Sequence, residues 1–270
     1  MNYKFKIGWF VLLIFFILIN IPNNLLAKSF NEDIRKVRAE INRDNLEESI
    51  KLLGKISITS DIEKDEINLL FGDIYLKINK PQKAEEFYEK SFMTTNERIE
   101  SLTFIGLAEV KLRQGQIDKA IDFAERSIAI NSDFIRPKII LADAKTRIGE
   151  TDEALDVLKD LYLNNKDSAE VNIAIAGYYS SFDDANSAIE ILEKYLKSDP
   201  TNIKVMNQLG NLHWQIGNKD KALELKSKVL KHYEFSKNKY QAKKIKQWIL
   251  TVDPNYFKKK QTKGIKPKQS

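Results

Sequence analysis

Two rows of small residues run through the chain in one register. The first is Gly72, Ala108, Ala142, Ala176 and Gly210; the second is Ala84, Ala120, Ala154, Ala188 and Ala222. Both have spacings of 36, 34, 34 and 34 residues. Self-similarity at such a period marks a stacked array, because each unit is too small to bury its own apolar face and must lean on the next. A large apolar residue precedes each member of the first row: Phe71, Leu107, Leu141, Ile175 and Leu209. Between the rows falls a third set, Asn79, Gly115, Gly149, Asp183 and Gly217. Glycine and alanine let two helices approach closely. Glycine, asparagine and aspartate most readily take the left-handed backbone that ends a helix. The unit is therefore helix, short turn, helix, and the chain is an all-α solenoid of antiparallel helix pairs.

Two stretches carry a family resemblance. "LGNLHWQIGNKDKALE", Leu209 to Glu224, and "LFGDIYLKINKPQKAEEFYEKSF", with Tyr75, Ala84 and Tyr88 in place, resemble the tetratricopeptide repeat. The resemblance implies a right-handed superhelical solenoid of five units, at 65–100, 101–134, 135–168, 169–202 and 203–236, about two-thirds of the chain. Departures are Lys111 and Lys145 where the family has an aromatic, and a terminal proline only at Pro200.

The flanks read as caps for the array. Residues 31–64 carry Ile34, Val37, Ile41, Leu46, Ile50 and Leu53 at helical spacing and form a divergent N-terminal pair. Within 237–253, Ala242, Ile245, Ile249 and Val252 make the stripe of a closing helix, stopped by Pro254. The segment 254–270 is a basic tail without periodicity, expected to be disordered. Residues 1–27 combine Lys4 and Lys6 with an apolar run of 13 residues from Ile7 to Ile19, short for a membrane span and suited to a secretory signal. Ala27 offers a cut before Lys28, so the body is expected outside the cytoplasm, periplasmic or secreted. Retention of this leader as a membrane anchor is the alternative. Charge follows the same division, with the leader at +2, an acidic body to Ser236 at −6 and the remainder at +10.

The same residues bound the chemistry. The absence of cysteine removes disulfides, thiolate metal sites and thiol nucleophiles. The two histidines, His213 and His232, have no neighbouring ligand set, and no nucleophile–base spacing or metal motif is present. Asp183 and Asp184 sit at a turn, where ending a helix explains them. The sequence therefore points to a binding protein with no catalytic residue, metal or cofactor.

By resemblance, the concave wall belongs to the first helix of each pair. Its candidate partner-binding residues are an apolar row, Leu69, Ile105, Ile139 and Ile173, an acidic row, Asp73, Glu109 and Asp143, and a basic row, Lys77, Arg113 and Arg147. The acid-then-base spacing of four also fits ordinary pairs on a helix surface, worth about 0.2–0.5 kcal/mol each. Lys204, Asn207, Asn211, Trp214 and Gln215 form a further candidate cluster in the last repeat. Their amides suit a peptide backbone, while packing of Trp214 on Trp248 is the competing reading. Family members that capture chaperone C-terminal carboxylates need Asn donors where this chain has acids, so that ligand is not implied. The expected partner is an unknown protein or peptide. The basic end adds either solubility or contact with an anionic membrane surface or acidic partner, and nucleic acid does not suit an exported chain.

Overall fold

The computed structural model describes residues 23–92 and 95–258. The leader up to residue 22 and the tail from 259 lie outside the described residues. Thirteen helices are described. An N-terminal pair, α1 (Asn23–Asn42) and α2 (Leu46–Leu53), precedes five repeat pairs. These are α3 (Asp61–Lys77) with α4 (Pro81–Ser91), α5 (Glu97–Arg113) with α6 (Ile117–Ile130), α7 (Ile135–Ile148) with α8 (Thr151–Asn164), α9 (Ala169–Ser181) with α10 (Ala185–Ser198), and α11 (Ile203–Gln215) with α12 (Lys219–Phe235). Helix α13 (Lys239–Val252) closes the array. Each helix packs on the next, and the first helices of successive repeats also touch, which makes this a helical-repeat solenoid.

Local chemistry sets the helix ends. The side chains of Ser60, Asn96, Ser168, Asp184, Asn202, Asn218 and Asn238 each accept a backbone N–H from three residues on. Pro81 stands in the first turn of α4, where its missing N–H is no loss. All five members of the turn set have positive φ, from 59° at Asn79 to 88° at Gly149. Asp44 and Lys237 share that conformation at the two ends of the array.

The small-residue rows are buried at the helix contacts. Ala84, Ala108, Ala120, Ala142, Ala154, Ala176, Ala188 and Ala222 have no exposed surface. The first helices are surrounded on most sides; α5 buries Ile99, Phe104, Leu107, Val110 and Leu112 among others. Burying each such side chain stabilises by about 1.5–3 kcal/mol. Between helices, buried hydroxyls pair with one another, Ser91 with Thr103 and Ser101 with Ser127, both at 2.9 Å.

Three details of the flanks differ from the sequence reading. Helix α1 begins at Asn23 and runs unbroken across Ala27–Lys28. Ile50, placed on the buried stripe, is exposed, because Leu46, Ser49 and Leu53 supply the inward side of the short helix α2. The tail is not structureless from 254. Residues 256–258 form a helical turn, and Tyr256 and Phe257 pack against the cluster of Leu223, Val229, Ile245 and Ile249.

The array curls until its ends meet. The Asn238 side-chain N–H donates to the carbonyl of Arg43 at 2.8 Å across 195 residues of sequence, and Gln241 donates to Asp44 at 3.3 Å.

Candidate partner-binding cavity

The curl shapes a half-open cavity of about 800 Å³ on the concave side, with walls from α1, α3, α5, α7, α9 and α11 and with Tyr88 of α4 in its lining. Its apolar lining includes Leu69, Ile105, Ile139 and Ile173. These four are not equivalent. Leu69 is 1% exposed and Ile105 9%, so both belong chiefly to the core, while Ile139 and Ile173 keep accessible surface.

The charged rows are joined into a network. Glu109 accepts from Arg113 at 2.7 Å and from Arg136 at 2.6 Å, and Arg136 reaches on to Glu170 at 2.9 Å. Burial alone would raise the Glu109 pKa; the Arg136 and Arg113 guanidiniums hold it below the usual glutamate value. Arg113 also donates to the carbonyl of Leu76, and Arg147 to that of Leu112, so each arginine satisfies the end of the preceding first helix. Asp143 and Arg147 pair with each other at 3.0 Å and line a separate depression with Tyr178 and Ser181. Lys77 turns to Asp44 at 3.0 Å instead of to the acid on its own helix.

Asp73 is held differently. Its carboxylate accepts from the Tyr88 hydroxyl at 2.8 Å. Tyr88 is fully buried, between the glycines of two first helices. A Cβ at Gly72 would stand 2.5 Å from its ring, and one at Gly106 2.3 Å. Desolvation lifts the Asp73 pKa to about 6, against the lowering effect of Tyr88 and Arg38.

The last-repeat cluster divides. Lys204 lines the cavity. Asn207 and Asn211 both accept from the ammonium of Lys226, at 2.6 and 2.5 Å. The aliphatic stem of Lys226 is buried against Gly210, and its ammonium lies 5.0 Å from the Trp248 ring centre. Trp214 meets Trp248 edge-on at 5.9 Å and is still 46% exposed. Gln215 accepts from Ser180 at 3.0 Å. The two asparagine carbonyls thus serve a buried cation inside the chain.

Several contributing residues escaped the sequence reading. Arg136, Glu170 and Lys204 repeat at 34 residues in the first turn of successive first helices, a signal available in the sequence of which only Lys204 was read. Arg38 lies on α1, outside the five repeats, and Lys226 and Gly106 stand in registers that keep no one residue type from repeat to repeat. Among the described residues no three metal-ligating side chains converge. The cavity offers charge pairs, partly exposed aliphatic surface and one cation, Lys204, that meets no carboxylate among the described residues.

Comparison with known proteins agrees with this architecture. The family described as tetratricopeptide repeat matches residues 65–94, and that described as intraflagellar transport protein 56 matches residues 132–254. No curated protein matches the sequence. Among solved structures, the chain is similar to TTC0263, a thermophilic TPR protein of Thermus thermophilus, with 16% identity, 70% of this chain and 98% of that chain covered, and a TM-score of 0.58. It is also similar to pilF of Pseudomonas aeruginosa, with 12% identity, coverage of 82% and 98%, and a TM-score of 0.48. For YrrB, described as a TPR protein with an unusual peptide-binding site, the values are 16%, 67%, 91% and 0.38. At these identities the likeness is one of fold, and the first structure carries it.

Proposed function

We propose, since the chain is a tetratricopeptide-repeat protein, that it holds a segment of a partner protein in its concave cavity, outside the cytoplasm. The fold itself is that of protein–protein interaction scaffolds. The observation that supports the finer reading is the cavity of about 800 Å³, lined by Ile139 and Ile173 beside the Glu109–Arg136–Glu170 network. Apolar contact would supply affinity, and the charge pairs would set the direction of the bound segment. No catalytic step enters this reading; the chain binds, and chemistry belongs to whatever it binds.

The leader supports export through its basic start and apolar run. A mature chain beginning at Lys28 would retain Phe30, Ile34, Val37 and Ile41, the described core residues of α1. The second reading is a tethered assembly factor whose leader stays in the membrane, favoured by the continuity of α1 through Ala27–Lys28. N-terminal sequencing of the protein from the exported fraction separates the two. Lys28 as first residue supports the exported scaffold, and an intact leader the tether.

Affinity capture from that fraction tests the cavity. The parent chain should retain a partner that an Ile139→Asp, Ile173→Asp variant loses while keeping its helical circular dichroism. Equal retention by both chains would refute a site in the cavity.

A further inference from the structure

The junction that closes the ring is built unlike the other junctions. From α1 through α13, successive helix pairs share apolar clusters. Ile34, Val37, Leu70 and Ile74 fasten the N-terminal pair to the first repeat, and Leu223, Val229, Ile245 and Ile249 fasten α13 to α12. Among the described residues no such cluster spans α1–α2 and α12–α13, where the ends of the array touch. Polar contacts hold that seam. Asn238, only 3% exposed, caps α13 through its side-chain oxygen and donates its N–H to the Arg43 carbonyl. Gln241 donates to Asp44, whose other carboxylate oxygen is held by Lys77 at 3.0 Å. Asp44 and Lys237, the turn residues facing one another here, both lie at φ 58° without being glycine. A cleft of about 440 Å³ runs along the seam between Leu46, Glu47 and Lys51 on one side and Lys237, Lys239 and Tyr240 on the other.

We propose that this seam is a latch, which opens to admit a partner segment sideways into the concave cavity and closes behind it. Hydrogen bonds exchange readily with water, whereas a shared apolar cluster does not, so the seam is where the ring parts first. The apolar clusters that join successive pairs stay intact when it opens, because none of them spans the seam. The latch also defines the kind of partner: a single stretch of polypeptide within a larger protein, with no need for a free end to thread the ring.

The test uses the absence of native cysteine. A thiol is placed in the cavity by Ile173→Cys and labelled either by a small thiosulfonate or by a maleimide carried on branched dextran. In a second chain Asp44→Cys and Gln241→Cys are first bridged by a short bismaleimide, and Ile173→Cys is unmasked afterwards from a photocaged cysteine. Bridging should slow the dextran reagent by about tenfold or more while leaving the small reagent unchanged. An Asn238→Ala, Asp44→Ala chain should admit the dextran faster than the parent. If that variant does not fold, the bridged chain decides alone. An unchanged dextran rate in the bridged chain overturns the latch. The inference rests on the cavity being the binding surface, but the labelling needs no partner, so loss of the latch and failure to capture a partner are separate results.

Discussion

The hydroxyl of Tyr88 donates to Asp73 at 2.8 Å after the ring has passed between Gly72 and Gly106. One side chain of a second helix thus pins two first helices together and ends at the wall of the cavity. Burial makes the carboxyl it meets sensitive to pH. The folded pKa of Asp73, about 6, lies above the value of 3.8 for an unperturbed aspartate, so the folded chain holds this proton more tightly than the unfolded one. Stability from this group is therefore present below pH 3.8 and is lost as pH rises to about 6. Asp73→Asn keeps an acceptor for Tyr88 and removes the charge. Urea titrations should show the variant more stable than the parent by up to about 3 kcal/mol at pH 7.5 and equal to it near pH 3.5. A variant less stable at pH 7.5 would show the carboxylate to be a net benefit.

Gly106 has no role in the small-residue rows, yet it touches Tyr88. Gly106→Ala gains about 1 kcal/mol of helix propensity and meets an overpacking cost of about 1–3 kcal/mol from a Cβ placed 2.3 Å from the ring. The clash should win, lowering the melting temperature. In a Tyr88→Leu background the sign should reverse, because only the propensity term remains. Equal effects in both backgrounds would mean that the ring does not set the spacing.

Lys226 is a buried cation whose described partners are neutral. Desolvation pushes its pKa to about 8, below its ordinary value of 10.5. Between those values the unfolded chain binds more protons, so stability rises with pH from about 8 to 10.5. The difference in unfolding free energy between the parent and Lys226→Met should change across that interval in the parent's favour, by on the order of 3 kcal/mol. A constant difference would place the ammonium in contact with solvent.

His213 stands where the repeat has an aromatic residue, and neither ring nitrogen has a hydrogen-bond partner. Burial lowers its pKa below 6.5, and Glu193 at 3.9 Å opposes this only in part. With the folded value depressed, stability is present above pH 6.5 and is lost as pH falls through the folded pKa. His213→Phe restores the aromatic and should stabilise by about 1–2 kcal/mol at neutral pH, with the gap widening in acid. Chemical denaturation at pH 7.5 and pH 5 measures both; a gap that narrows in acid would contradict the assignment.

The sequence showed the array through features repeated in every unit. The left-handed turn at Gly149 and its equivalents and the buried alanine rows follow from the repeat spacing and the residue types, and the wall residues from the family resemblance. Lys111 in an aromatic place is explained only by the fold, which sets its ammonium against Glu85 on the preceding second helix, with Gln114 beside it. Lys145 reaches the other way, to Glu150 and Glu153 at the start of the following α8, which push its pKa up to about 12. The division of the apolar row into buried Leu69 and accessible Ile173 depends on curvature accumulated over several repeats. So does the meeting of Arg43 with Asn238. Pairwise spacing holds no record of that curvature, and the candidate site was accordingly legible as rows and illegible as a cavity.

The central claim is that the concave cavity holds the partner. A photoreactive benzoylphenylalanine replacing Ile173 in the cavity, compared with one replacing Glu125 on the exposed side of α6, tests it directly. In the exported fraction, Ile173→benzoylphenylalanine should cross-link one discrete partner, and Glu125→benzoylphenylalanine should not. Capture of that partner from position 125 with none from position 173 would put the binding surface on the convex side and contradict the account.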